Sequence, residues 1–533
     1  MLDSFKRLCS NIAGVFQMPR LDDSSDYAFA VAHYAPEKLW EFFDGCVDAL
    51  NIAHECIDRH AGDRLAVRVV HTEGGDEFFS FRELADWSSR AAHWLERCGV
   101  MFGDRVAVML DPSLAFYAAI FGAMKRGAIA VPLFTLFGPE GVRLRLADCG
   151  PRILLTSAAK AEIASGIPGL EVVVADEGWL AELEDLPARY AMTTRGGDMA
   201  LFQYTSGTTR ELPTAVEHPH RSLVVLMLAA LYGTGIRRGD EFFCPSSPAW
   251  GHGLVHGTLA PLALGVSTGT YAGKFDPVRL MRALQDYGIT NLSAAATHYR
   301  MMRTSGVADR FRFAIRKLSY TGEPIDSETL HFIDTTFGVP ASSMYGTTEV
   351  GVVLVNYPGA RDFPVKPGSL GKPVPGLRVE VQRPDGTPAA WDEIGELNVF
   401  RRGAWVPTKD LVKVDADGYF YHAGRTDDVI ISAGWTMSPV EIEDVLLQHP
   451  DVTEAAAIGV PDAIRGQVVK AFIVSSRSGD AAFKRELQDF ARTRLSQHEY
   501  PRLIAFPTEL PKTPAGKINR KALRDAGGAT VQV

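Results

Sequence analysis

An alternation of capped helix and apolar strand between residues 80 and 133 constrains this chain more than any other feature. Ser80-Phe-Arg-Glu83 has the spacing of a capping box, in which the serine and glutamate side chains satisfy free N–H groups at a helix start. Leu84, Trp87, Ala91, Trp94 and Leu95 continue at helical spacing toward Gly99. The apolar run 105–110 then predicts a strand, the stretch from Pro112 to Met124 a second helix, and residues 128–133 another strand. Strand–helix–strand repeats bury both faces of a sheet, so they predict parallel strands covered by helices. The pattern returns from about residue 200 to 345 with Ala- and Gly-rich helices.

The texture changes after about residue 365. Residues 377–382 are apolar and alternating and precede the turn Pro384-Asp-Gly386; Glu396-Leu-Asn-Val-Phe400 precedes Asp417-Gly418. These are hairpin signals. The last hundred or so residues read as a separate α+β unit. It has a short helix from Pro439 to Leu447, a buried strand at 468–474, and an amphipathic helix striped by Phe483, Leu487, Phe490 and Ala491. A chain of 533 residues exceeds one ordinary core. The expected fold is therefore α/β: a large N-terminal domain, residues 1–424, of parallel or mixed sheets covered by helices, with a β-rich part at about 365–424. A small C-terminal domain, residues 425–533, follows the polar turn Gly424-Arg-Thr-Asp-Asp428.

Hydrophobic content of 46% and charged content of 22% are those of a globular protein, and a net charge of −9 disfavours a nucleic-acid surface. The longest apolar run, 223–232, is about half the ~20 residues a membrane helix needs. Cys9, Cys46, Cys56, Cys98, Cys149 and Cys244 show no CxxC spacing, which speaks against disulfides and zinc. Lys6, Arg7 and Arg20 precede no signal-type apolar core, so a cytoplasmic enzyme acting on small molecules, without membrane or nucleic-acid partners, is expected.

Tyr204-Thr205-Ser206-Gly207-Thr208-Thr209 follows the apolar run Met199-Ala-Leu-Phe-Gln. Backbone N–H groups and hydroxyls in such a run can wrap phosphate oxygens; an ordinary Ser/Thr turn is the alternative. Met344-Tyr-Gly-Thr-Thr-Glu349 adds a ring able to stack on a purine, a hydroxyl donor at Thr348, and a carboxylate, Glu349, able to hold Mg²⁺.

With these two motifs the chain resembles the adenylate-forming acyl-CoA synthetases from about residue 45 to 525. Tyr320-Thr-Gly-Glu-Pro324, Gly395-Glu-Leu-Asn-Val399, Thr408-Lys-Asp410, the Gly424–Asp428 turn and Pro514-Ala-Gly-Lys517 match that family's pattern in order. The resemblance implies a carboxylic acid attacking the α-phosphate of ATP to give an acyl-adenylate and pyrophosphate. A thiol, from CoA or an acyl carrier protein, then displaces AMP. It further implies that Gly322, Glu323 and Pro324 flank adenine, Tyr345 stacks on it beside Gly346 and Thr347, and Asp410 and Arg425 hold the ribose. Lys517 bridges carboxylate and α-phosphate. Asp427 is the hinge of a mobile C-terminal domain, Gly434 and Trp435 line the pantetheine tunnel, and Trp250 gates the acyl pocket. For Asp410 and Arg425 a surface ion pair is the alternative, for the two tryptophans a core position, and for His252 a structural role is favoured. Gly346, where acetate-specific relatives carry tryptophan, suggests room for a medium-chain aliphatic or aromatic acid.

One segment departs from the family. Thr214 stands where a lysine follows the loop proline, and Arg210 replaces a glycine. A cation about 4 Å from a phosphate contributes on the order of 4 kcal/mol at an effective dielectric of 20, a charge Thr214 does not supply. Arg210 can reach the same oxygens bidentately. Three readings remain open at this point: a complete acyl-CoA ligase, an enzyme that mainly converts acyl-adenylates to thioesters, and a non-catalytic acyl or nucleotide sensor.

Overall fold

The computed structural model describes residues 19–204, 215–322, 325–347, 350–401, 403–426, 428, 430–432, 435–437, 439–462, 465–495, 500–512 and 518–527. The capping box forms: Glu83 N–H donates to Ser80 Oγ, and Ser80 N–H donates to Glu83 Oε2 at 2.7 Å, starting the helix Phe81–Arg97. The next helix runs Leu114–Arg126 and starts beyond Pro112, because Ser113 takes the N-cap position and accepts from the Phe116 N–H.

These two helices pack between two sheets. The six-stranded sheet runs Glu171–Val174, Ile153–Thr156, Arg105–Met109, Ile129–Pro132, Met199–Gln203 and Val216–Pro219, parallel except for the last strand. The nine-stranded sheet is parallel through Leu65–His71, Thr268–Ala272, Phe242–Phe243, Asn291–Ala295, Lys317–Thr321 and Ser342–Thr347. The edge strands Glu77–Ser80 and Lys372–Pro373, and Gly351–Val355 next to the latter, pair antiparallel with their neighbours. Strands such as Ile129–Pro132 and Asn291–Ala295 are buried at every position, as parallel strands covered on both faces must be. One core joins Val67 and Val69 of the larger sheet to Val106, Val108 and Ala130 of the smaller through the helical side chains Phe116, Ile120 and Phe121.

The hairpin signals after residue 365 become an antiparallel sheet of Val379–Gln382, Gly395–Arg401, Ala404–Val414 and Phe420–Arg425, with Asp417-Gly418 in the turn between the last two strands. Beyond it, Val452–Asp462, Gly466–Ser475 and Leu503–Ala505 form a three-stranded sheet under the helices Pro439–Leu447 and Ala481–Arg494. Ile430, Ile442, Leu446, Ile473, Phe483 and Leu487 close a core of their own. Phe490, read as part of that stripe, is only half-buried, with its ring centroid 5.0 Å from that of His449 at the margin. This small α+β unit meets the larger one where Ser327 N–H and Oγ donate to Asp444 Oδ1 at 3.0 and 3.2 Å. The five described cysteines are free, and among the described residues no helix is long and apolar enough to cross a membrane.

Asn291–Ala295, Lys317–Thr321 and Ser342–Thr347 are adjacent and parallel, so their carboxyl ends share one edge. Ligands of open α/β sheets bind at such edges. The antiparallel sheet reaches this edge through Asp410, which accepts from the Tyr345 hydroxyl.

Candidate active site

Asp410 lies on the strand Ala404–Val414 directly across from Arg425, and Arg425 Nη1 donates to its Oδ1 at 3.3 Å. His422 Nε2 stands 3.5 Å from the same oxygen. From the parallel sheet, the Tyr345 hydroxyl donates to Asp410 Oδ2 at 2.6 Å. Two local irregularities make this convergence possible. The register between Ser342–Thr347 and Gly351–Val355 shifts between Tyr345 and Gly346, and such bulges re-aim side chains. A second shift, between Leu411 and Val412, lets His422 and Arg425 reach one carboxylate, although residues three apart on a regular strand face opposite ways. Lys409, next to Asp410, holds φ 64°, a left-handed conformation that a non-glycine residue adopts only under constraint. Its N–H donates to Glu396 Oε1 at 3.2 Å, and its carbonyl accepts from the Thr426 N–H at 2.9 Å.

Asp410 is 6% exposed. Burial on its own pushes its carboxyl pKa up, but hydrogen bonding and charge from His422, the Tyr345 hydroxyl and Arg425 win, and the net shift is below the ordinary value. The same site pushes the Tyr345 hydroxyl far up, first by burial and then by the Asp410 charge. At neutral pH the pair is therefore carboxylate and phenol, acceptor and donor. Arg425 and His422 both face Oδ1, whereas Tyr345 uses one acceptor site of Oδ2, so Oδ2 keeps capacity for a further hydroxyl donor. A hydroxyl of a sugar such as ribose fits that donor requirement.

Gly322 follows the strand Lys317–Thr321 with φ 100°, a conformation disfavoured for any side chain. Thr347 Oγ1 accepts from the Val350 N–H at 3.3 Å. The role expected of Gly346 needs correcting. A Cβ there would lie 2.2 Å from the Gly351 carbonyl oxygen and 2.7 Å from Val352 Cα. Glycine is required by the close approach of the neighbouring strand, not by room left for an acyl group.

Trp250 is half-buried and sets its ring edge-on to His252, centroids 5.5 Å apart. His252 starts a segment of π-helix, His252–Leu259, a rare geometry associated with functional sites. Its Nδ1 lies 2.9 Å from Ser246 Oγ and its Nε2 2.9 Å from Ser293 Oγ, while Ser319 Oγ donates to Ser293 Oγ at 2.8 Å. Burial pushes the His252 pKa well below its ordinary value, so the ring is a neutral strut between two serines. Burial likewise pushes His256 and His298 down to about 4. Trp435 lies on the strand Trp435–Met437, paired with Ser432.

Thr205, Ser206, Gly207, Thr208, Thr209, Arg210, Thr214, Glu323, Pro324, Thr348, Glu349, Asp427, Gly434 and Lys517 lie outside the described residues. Among the described residues, no group of three or more His, Cys, Asp or Glu side chains is arranged to hold a metal ion. His422 is the site residue that sequence reading missed. Its only signal is a place three residues before Arg425, and the bulge that makes that spacing productive is not written in residue types.

Two helix-covered sheets, a β-rich subdomain and a small α+β unit are the architecture of adenylate-forming enzymes. Residues 54–406 match the family described as AMP-binding enzyme, and residues 441–517 match the AMP-binding enzyme C-terminal domain. The chain is 30% identical over 525 residues to an acetyl-coenzyme A synthetase of Bacillus subtilis, covering 89% of this chain and 90% of that one. A crystal structure of an acyl-CoA synthetase from Brucella canis superimposes with a TM-score of 0.73 at 31% identity, covering 94% of this chain and 98% of that one. An anthranilate CoA ligase in complex with anthranoyl-AMP gives a TM-score of 0.82 at 27% identity, with 91% and 98% covered. The protein belongs to the AMP-binding enzyme family, as an adenylate-forming acyl-CoA ligase. Members of this class use ATP and CoA.

Proposed function

We propose that this protein activates a medium-chain aliphatic or aromatic carboxylic acid with ATP to an acyl-adenylate and transfers the acyl group to CoA, releasing pyrophosphate and AMP. The observation that carries this reading is the buried Asp410 carboxylate. It is ionised, aimed by Tyr345, Arg425 and His422, and retains acceptor capacity on Oδ2 for a ribose hydroxyl. Tyr345, Gly346, Thr347 and the Gly322–Pro324 turn would border adenine. Thr205 to Thr209 would donate to the phosphates, with Arg210 supplying the cation that Thr214 does not, and Thr348 would add a hydroxyl. Glu349 would hold Mg²⁺, which supplies positive charge against the phosphates when bound. Lys517 would stabilise charge developing between the attacking carboxylate and the α-phosphate.

The two steps need different neighbours around one adenylate, which fits residues 425–533 moving as a unit against 1–424 with Asp427 as hinge. Gly434 and Trp435 would line the path of the CoA thiol arm, and Trp250 would limit the acyl group. The acid classes named by its relatives, acetate and anthranilate, bracket the range proposed. A second reading rests on Thr214: adenylation is weak and the enzyme mainly thioesterifies acyl-adenylates. An acid panel incubated with ATP and CoA, followed by mass spectrometry, separates the two. The first reading predicts AMP and acyl-CoA in equal amounts with at least one acid of six or more carbons. Thioester formed only from supplied acyl-adenylate sinks it in favour of the second.

A further inference from the structure

The larger sheet carries a second polar site, at the amino ends of its strands and so on the edge opposite the candidate active site. Arg64 precedes the strand Leu65–His71, Glu241 precedes Phe242–Phe243 and Ser267 precedes Thr268–Ala272, and these three strands run parallel. With Arg68 and Tyr287 these residues line a cavity of about 440 Å³.

Arg68 is the unusual member. It stands inside its strand between Val67 and Val69 and is only 7% exposed. Across from it on the edge strand is Phe78, whose ring meets that of Tyr287 edge-on, and the Arg68 guanidinium lies 4.7 Å from the Tyr287 ring centroid. A buried guanidinium normally gathers acceptors, because an uncompensated charge away from water is costly. This one has gathered few. Among the described residues, its Nε and Nη1 have no hydrogen-bond partner, and both atoms are shielded from solvent. Its Nη2 reaches Glu241 Oε2 at a long 3.5 Å, and Ser267 Oγ donates to that same oxygen at 3.4 Å. The Glu241 side chain is 45% exposed, which makes it a loosely held counter-ion. Asp240, also at the cavity, is already committed: it accepts from Lys317 Nζ at 2.5 Å and from the Arg237 N–H at 2.9 Å. Arg64 is exposed and spends Nη1 on the Gly265 carbonyl at 3.0 Å.

We propose that this cavity binds a small oxyanion of the phosphate type, which replaces Glu241 at Arg68 Nη2 and draws further donors from Ser267 Oγ and Arg64. Glu241 withdraws into solvent as the anion enters. Guanidinium and hydroxyl donors suit such an anion, and the Tyr287 ring holds the Arg68 plane in place from one face. Asp410 and Tyr345 belong to the carboxyl edge of the sheet. The inference is therefore independent of the reaction proposed above and stands or falls apart from it.

The test is isothermal titration of the full-length enzyme with sodium phosphate, in phosphate-free buffer at constant ionic strength and without nucleotide. Saturable binding with a Kd on the order of 1 mM is expected. Arg68→Gln weakens it by at least about tenfold. Glu241→Gln removes the competing carboxylate and its like charge, and tightens binding by about threefold or more. Phosphate held elsewhere, at the nucleotide site included, responds to neither substitution. Circular dichroism spectra matching wild type report that the variants are folded; where Arg68→Gln does not fold, Glu241→Gln decides alone. Unchanged binding in a folded Arg68→Gln, or binding no tighter in Glu241→Gln, overturns the inference. So does the absence of saturable heat from the wild-type enzyme at phosphate concentrations about tenfold above the expected Kd.

Discussion

The Asp410 side and the His252 side of the candidate site are built on opposite electrostatics. Around Asp410, burial is opposed by three donors, and the carboxylate stays ionised. Around His252, burial is joined by the neighbouring His256 and His298, and the ring stays neutral between Ser246 and Ser293. A buried charge is tolerated only with paired and hydrogen-bonded neighbours, whereas a buried imidazole simply discharges. The Asp410 pole is therefore held through charge and the His252 pole through neutral hydrogen bonds. Each breaks in its own way.

The largest effect falls on the charged pole. Asp410→Ala leaves Arg425 and His422 facing a buried gap, and removing one partner of such a group costs about 3–5 kcal/mol. Steady-state kinetics are expected to give a kcat/KM for ATP lower by on the order of 10²-fold or more. A loss below about threefold breaks the comparison, since Asp410 would then be a dispensable ion pair.

The neutral pole is exposed by pH. His256 and His298 have folded pKa values near 4 against 6.5 unfolded, so the unfolded chain binds more protons between those values. Stability is thus greatest above pH 6.5 and falls as pH drops toward 4, by about 1.4 kcal/mol per pH unit for each ring. Asp410 behaves differently: its folded pKa is depressed, so its contribution is fully present above the ordinary carboxylate value and is lost only as pH falls from there toward the folded value. Urea midpoints measured from pH 7 to 5 are expected to decline steadily. His298→Gln flattens that slope by one histidine's share; an unchanged slope counts against the neutral pole.

The smallest effect is expected at Lys413, whose amine lies 3.5 Å from Glu441 with both side chains more than a third exposed. Solvent screens such pairs, so Lys413→Ala shifts the urea midpoint by no more than about 0.5 kcal/mol equivalent. A larger shift assigns that contact a structural weight that its exposure does not predict.

The same contrast explains what was legible in residue order. Periodicity and capping are local, so Ser80 with Glu83 and the helix Pro439–Leu447 stand where the pattern put them. Tyr345, Asp410 and Arg425 were grouped by motif order, and the fold brings them within hydrogen-bonding distance. His422 escaped because its reach depends on a register shift. The reason for Gly346 was also misjudged. A glycine in sequence does not say whether its missing side chain faces a cavity or, as here, the backbone of the next strand. The π-helix His252–Leu259 left no trace in an apolar, glycine-bearing run.

Exchange of labelled pyrophosphate into ATP by the wild-type enzyme, without CoA and across a range of carboxylic acids, tests the central claim most directly. Robust exchange with at least one medium-chain or aromatic acid is the predicted result. No acid-dependent exchange, from an enzyme that still makes thioester from supplied acyl-adenylate, would contradict it.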